Sequence, residues 1–148
     1  MKHNPNKSRI EAYLELEPRT SVKNRILLVE DSDINRRLFQ DLLEVNGYIV
    51  CSLSNGLKFF QAITEFSPDL ILLDLKMPQV DGYTLLQQLQ ESPVRSIPVV
   101  VVSAYGLERE RQKALNLGAR AYLTKPVAVE DVVRTVEIEL NALERAVA

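Results

Sequence analysis

Three unbroken apolar runs, each closed by a residue able to carry chemistry, constrain this chain most. Ile26-Leu27-Leu28-Val29 runs into Glu30-Asp31, Leu70-Ile71-Leu72-Leu73 into Asp74, and Ala121-Tyr122-Leu123-Thr124 into Lys125. Apolar runs of about four to six residues without polar alternation read as strands buried on both faces of a parallel sheet. Ligands of such sheets bind beyond the carboxyl ends of the strands. The three runs therefore predict that carboxylates and a cation meet along one sheet edge.

Amphipathic stretches alternate with these runs. Strands are expected at 26–29, 48–53, 69–74, 99–102 and 121–124. Ser32 or Asp33 can cap a helix through Asn46, with Ile34, Leu38, Leu42 and Val45 on one side and Gly47 ending it. Asn55-Gly56 turns into a second helix to about Phe66, stopped by Ser67-Pro68. A loop from Met77 to Gly82 precedes a third helix to about Glu91. A fourth reaches Leu117 with Gly118 at its C′ position, and a fifth begins near Val129. Strand–helix alternation predicts an α/β fold, a doubly wound five-stranded parallel sheet with five helices.

At 148 residues the body fits one domain, over 25–145, behind an N-terminal extension of residues 1–24. In the extension Ser8-Arg9-Ile10-Glu11 has the form of a capping box, and Pro18 stops the helix it opens, over about 9–17. Residues 1–25 hold six Lys/Arg against three Glu, and the body is mildly acidic. Such mixed charge predicts no direct nucleic-acid binding. One cysteine excludes an internal disulfide framework, and no run reaches the ~20 apolar residues of a membrane span. The expected setting is cytoplasmic.

Three carboxylates brought together repel unless a cation lies among them. With one His and one Cys in the chain, zinc and copper sites lack ligands, and Mg²⁺ is the natural candidate. Lys125 can balance phosphoryl charge, and Ser103, which ends the fourth strand, can donate a hydrogen bond. A carboxylate able to attack phosphorus completes the outline of an aspartyl-phosphate site.

The body resembles the receiver domains of two-component response regulators. Its marks are Val29-Glu30-Asp31-Ser32, Leu72-Leu73-Asp74-Leu75-Lys76-Met77-Pro78, Asp81-Gly82, Val102-Ser103-Ala104, Gly118-Ala119 and Lys125-Pro126. The resemblance implies the flavodoxin-like receiver fold, strand order 2-1-3-4-5, and Asp74 as phospho-acceptor. It also implies Mg²⁺ held by Asp31, Asp74 and the main-chain carbonyl of Lys76, with Glu30 acting mostly through water. Ser103 and Lys125 would contact the phosphoryl group, the bond before Pro126 would be cis, and Tyr122 would be the switch aromatic that turns inward as Ser103 moves. Implied partners are a sensor histidine kinase or histidine phosphotransfer protein, and an output protein at the face of the fourth helix, fifth strand and fifth helix.

Some positions depart from the family pattern. Lys76 and Tyr105 occupy positions that tune dephosphorylation, and their bulk predicts a long-lived phosphoryl group. Arg120 and Ala121 replace an acidic pair found in members that dimerise on DNA, which leaves the oligomeric state open. No output domain follows the fifth helix, which predicts a stand-alone regulator of the chemotaxis or cell-cycle type. Arg36-Arg37 and Glu108-Arg109-Glu110-Arg111 read as solvated helix faces.

Three functions are compatible with this pattern. The first is a phosphorylation-controlled binding module that catalyses only its own phosphorylation and autodephosphorylation. The second is a haloacid dehalogenase-type phosphotransferase, opposed by Lys76 where a second Asp is required. The third is a constitutive scaffold, or a fragment of a hybrid kinase.

Overall fold

The structure is a computed structural model that describes residues 25–147, with side chains to residue 143. The helix expected over 9–17 lies outside the described residues. Five parallel strands, β1 (Arg25–Val29), β2 (Ile49–Leu53), β3 (Leu70–Leu73), β4 (Val99–Ser103) and β5 (Ala121–Thr124), form one sheet in the order β2-β1-β3-β4-β5. Five helices alternate with them: α1 (Asp33–Val45), α2 (Phe59–Phe66), α3 (Gly82–Gln90), α4 (Glu108–Asn116) and α5 (Val129–Val147). The expected doubly wound sheet and strand order are both present.

The sheet is buried on both faces, and period-two alternation sorts its side chains. Leu27, Val29, Ile71, Leu73, Val99 and Val101 pack on the side of α2, α3 and α4. Ile26, Leu28, Leu70, Leu72, Val100 and Val102 pack on the side of α1 and α5, against Phe39, Leu43, Val132, Val136 and Leu140. An apolar residue at every position serves both layers, which is why these strands show no polar alternation.

Two local expectations need correction. Ile34, Leu38 and Val45 are 81%, 47% and 77% exposed, and α1 instead buries Phe39 and Leu43, with Leu42 half-buried between the two sides. Both stripes have helical spacing, so periodicity alone did not choose between them. The second helix starts at Phe59 rather than just after Gly56. Asn55 accepts the Leu57 N–H at 2.9 Å, and that local turn competes with helix until Lys58.

Ser32 is the N-cap of α1, accepting the Asn35 N–H. Asp31 is thereby free of the capping role. Gly118, at φ 104°, closes α4 in the left-handed conformation expected of it. Among the described residues, no helix is long and apolar enough to cross a membrane.

Candidate functional site

The carboxyl ends of β1, β3 and β5 deliver Glu30, Asp31, Asp74 and Lys125 to one place. Backbone bonds set the first three steps: Glu30 N–H donates to the Leu53 carbonyl, Asp74 N–H to the Val29 carbonyl, and Lys125 N–H to the Ser103 carbonyl. Glu30, Asp74 and Lys125 thus each sit one step past a strand, Asp31 two, and all inherit the rigidity of the sheet.

Asp74 is 4% and Glu30 1% exposed, whereas Asp31 is open to solvent. The Lys125 Nζ donates to Glu30 Oε1 at 2.5 Å and to Asp74 Oδ2 at 3.2 Å. Asp74 Oδ1 accepts the Lys76 N–H at 3.0 Å, and Glu30 Oε2 the Ser32 N–H at 3.2 Å. Burial, followed by the adjoining Asp74 carboxylate, pushes the Glu30 carboxyl up to about 7 against the pull of Lys125. Burial alone would depress the Lys125 ammonium, but its contacts with Glu30 and Asp74 outweigh this and raise it.

One carboxylate oxygen from each of Glu30, Asp31 and Asp74 lies within 4.8 Å of the others. An all-oxygen donor set, with one member open to solvent, fits a hard divalent cation with room for further oxygen ligands. The donors of a zinc or copper site are missing from this cluster.

Ser103 is fully buried and its Oγ accepts the Tyr105 N–H at 3.2 Å. Tyr122 already lies half-buried against the core, with its O–H donating to the Tyr105 carbonyl at 2.6 Å. The Lys125-Pro126 bond is cis, as expected.

Two polar contacts were not legible as such in sequence. Arg36, expected to be solvated, folds back so that its guanidinium donates to the Glu30 carbonyl at 2.9 Å. Glu110, also expected on a solvated face, is half-buried, with its Oε2 accepting from the Tyr83 hydroxyl at 2.6 Å. Tyr83 lies 27 residues earlier in the chain, and no local pattern couples it to Glu110.

The family described as response regulator receiver domain matches residues 26–137. This chain belongs to that family. The polar-differentiation response regulator DivK of Brucella anthropi is 34% identical over 117 residues, which span 78% of this chain and 95% of that protein. Among solved structures, the receiver domain of a signal transduction histidine kinase from Syntrophus aciditrophicus is 32% identical. It aligns with a TM-score of 0.75, covering 82% of this chain and 93% of that one. A CheY-like receiver domain protein from Methanospirillum hungatei aligns with a TM-score of 0.77 at 27% identity, covering 83% and 98%. The receiver domain is the common ground of these likenesses.

Proposed function

We propose that this chain is a phosphorylation-controlled binding module, in which Asp74 accepts a phosphoryl group from the phosphohistidine of a sensor kinase or histidine phosphotransfer protein. The observation that carries this reading is the buried Asp74 carboxylate held between the Lys125 ammonium and the Glu30–Asp31 acidic pair. Asp74 attacks phosphorus, an O–P bond forms, and the N–P bond breaks as the imidazole leaves. Lys125 steadies the charge spreading over the phosphoryl oxygens, and Ser103 hydrogen-bonds one of them. Mg²⁺ held by Glu30, Asp31, Asp74 and the Lys76 carbonyl would supply charge neutralisation there.

The donor approaches over α1. Ile34, Leu38 and Val45 make an exposed apolar stripe on a helix whose first turn adjoins Asp31, which suits a helical partner. The chain's own chemistry ends with phosphorylation and autodephosphorylation, and the output is a protein contact at the α4–β5–α5 face in the cytoplasm. The Tyr122 O–H bond to Tyr105 is the contact that the switch makes and breaks. Lys76 and Tyr105, beside the acceptor and the Ser103 loop, obstruct the hydrolytic water and lengthen the phosphoryl lifetime.

Intact mass after incubation with Mg²⁺ and acetyl phosphate tests the reading. A phosphoryl-sized gain is expected in the wild type and not in Asp74→Asn. No gain, with beryllium fluoride also failing to bind, would return the chain to a constitutive scaffold. The likeness to a receiver domain of a histidine kinase keeps a hybrid-kinase origin as the second reading.

A further inference from the structure

Helix α4 has little apolar packing of its own, with Leu115 only partly buried against the core. Of its nine residues only Ala114 is buried, and its N-cap, Leu107, offers no side-chain hydrogen bond. Tyr83 supplies the missing anchor. Its hydroxyl donates to Glu110 Oε2 at 2.6 Å and lies 3.1 Å from the Glu110 carbonyl oxygen. The Lys113 ammonium sits 4.2 Å from the centre of its ring. The same ring stacks on Tyr105, with centroids 6.4 Å apart and planes inclined by 9°. One buried side chain of α3 thus holds both the first turn of α4 and the loop that leads into it.

Tyr83 is itself tied to the acceptor strand. The Asp81 carboxylate caps the Tyr83 N–H at 2.9 Å, and the Gly82 N–H donates to the Leu75 carbonyl at 3.1 Å. A Cβ on Gly82 would lie 2.8 Å from the carbonyl oxygen of Asp74 and 2.5 Å from Leu75 Cα. The backbone of Asp74 and Leu75 and the start of α3 are therefore packed without slack. Burial and the Glu110 carboxylate raise the Tyr83 phenol far above its ordinary range, so it stays a donor at any physiological pH.

We propose that Tyr83 is a positioning residue that clasps α4 to the segment following Asp74. It forms a second line from the acceptor to the α4 face, which starts at Gly82 rather than at Ser103 and meets the Ser103–Tyr122 contacts at Tyr105. The clasp stands on its own geometry, while its role as a signal line rests on the aspartyl-phosphate reading.

Amide hydrogen exchange with and without acetyl phosphate, beside intact mass, tests both parts in wild type, Tyr83→Phe, Glu110→Ala and the double variant. In the unphosphorylated protein, Tyr83→Phe should speed exchange over residues 107–116 about tenfold and leave β1 and β3 unchanged. The double variant should add little to either single one, since both remove the same bond. Tyr83→Phe should still gain phosphoryl mass but show a smaller phosphorylation-induced change in α4 exchange. Exchange within twofold of wild type in both single variants, or full additivity in the double, would overturn the clasp. A full phosphorylation response in Tyr83→Phe would overturn the signal line. A wild type that gains no phosphoryl mass would sink the aspartyl-phosphate reading and the signal line together, leaving the exchange difference to decide the clasp.

Discussion

The Lys125 ammonium lies 3.2 Å from Asp74 Oδ2, across 51 residues of sequence, and shares its charge with Glu30. In the proposed function it would neutralise the charge that builds on the phosphoryl group. Lys125→Gln keeps hydrogen-bonding capacity and removes the charge. Phosphoryl uptake from acetyl phosphate should slow on the order of a hundredfold, the usual cost of losing one preorganised charge stabiliser. Mg²⁺ should bind more tightly in the same variant, because a competing cation has gone. Uptake within threefold of wild type by timed mass spectrometry would remove Lys125 from the chemistry.

The raised Glu30 carboxyl predicts a pH dependence with a definite sign. Its ordinary value is 4.5 and its folded value about 7, so between these the folded state keeps a proton that the unfolded chain has lost. Stability in EDTA should therefore fall as pH rises from about 4.5 to 7, and the full cost should be present above that. Urea midpoints across the window should be flatter for Glu30→Gln. An equal slope in the variant would assign the effect to another group.

A divalent cation should relieve the same repulsion. At Mg²⁺ a hundredfold above its dissociation constant the gain is about 2.7 kcal/mol, several degrees in Tm for a domain of this size. Asp31→Asn should abolish most of that shift and alter metal-free stability by no more than about 0.5 kcal/mol, because Asp31 is exposed. An undiminished Mg²⁺ shift in thermal scans of the variant would exclude Asp31 as a ligand.

Gly82→Ala should disturb the acceptor from outside the charged cluster. The new methyl would meet backbone, Leu75 Cα at 2.5 Å and the Asp74 carbonyl oxygen at 2.8 Å, and neither can swing aside as a side chain end would. A loss of about 1–3 kcal/mol is expected by chemical denaturation, with slower phosphoryl uptake. A stable variant with normal uptake would mean that the loop relaxes freely.

The two sides of α1 should separate stability from docking. Leu43 is fully buried, so Leu43→Ala should cost about 2–5 kcal/mol. Leu38→Ser, on the exposed stripe, should change stability by about 0.5 kcal/mol or less while slowing transfer from a phosphohistidine donor and leaving acetyl phosphate uptake intact. Equal loss with both donors would argue against α1 as the donor's seat.

Much of this protein was readable from one dimension. Strands such as Ile26–Val29 and Leu70–Leu73 are buried on both faces, and only an apolar residue at every position satisfies that, so the layered sheet is written in local composition. The same runs show which residues come next, and a strand end in a parallel sheet has one destination, so Glu30, Asp74, Ser103 and Lys125 could be named together. Tertiary structure alone decided what depended on relative rotation or on distant pairing. Phe39 and Leu43, not Ile34 and Val45, face the core because α1 must lie over β1 and against α5, a choice two equally spaced stripes leave open. Arg36 and Glu110 look like solvated charges until folding brings the Glu30 carbonyl and the Tyr83 hydroxyl to them. Burial is encoded residue by residue through hydrophobicity, whereas a polar contact has no signature until both partners occupy one place.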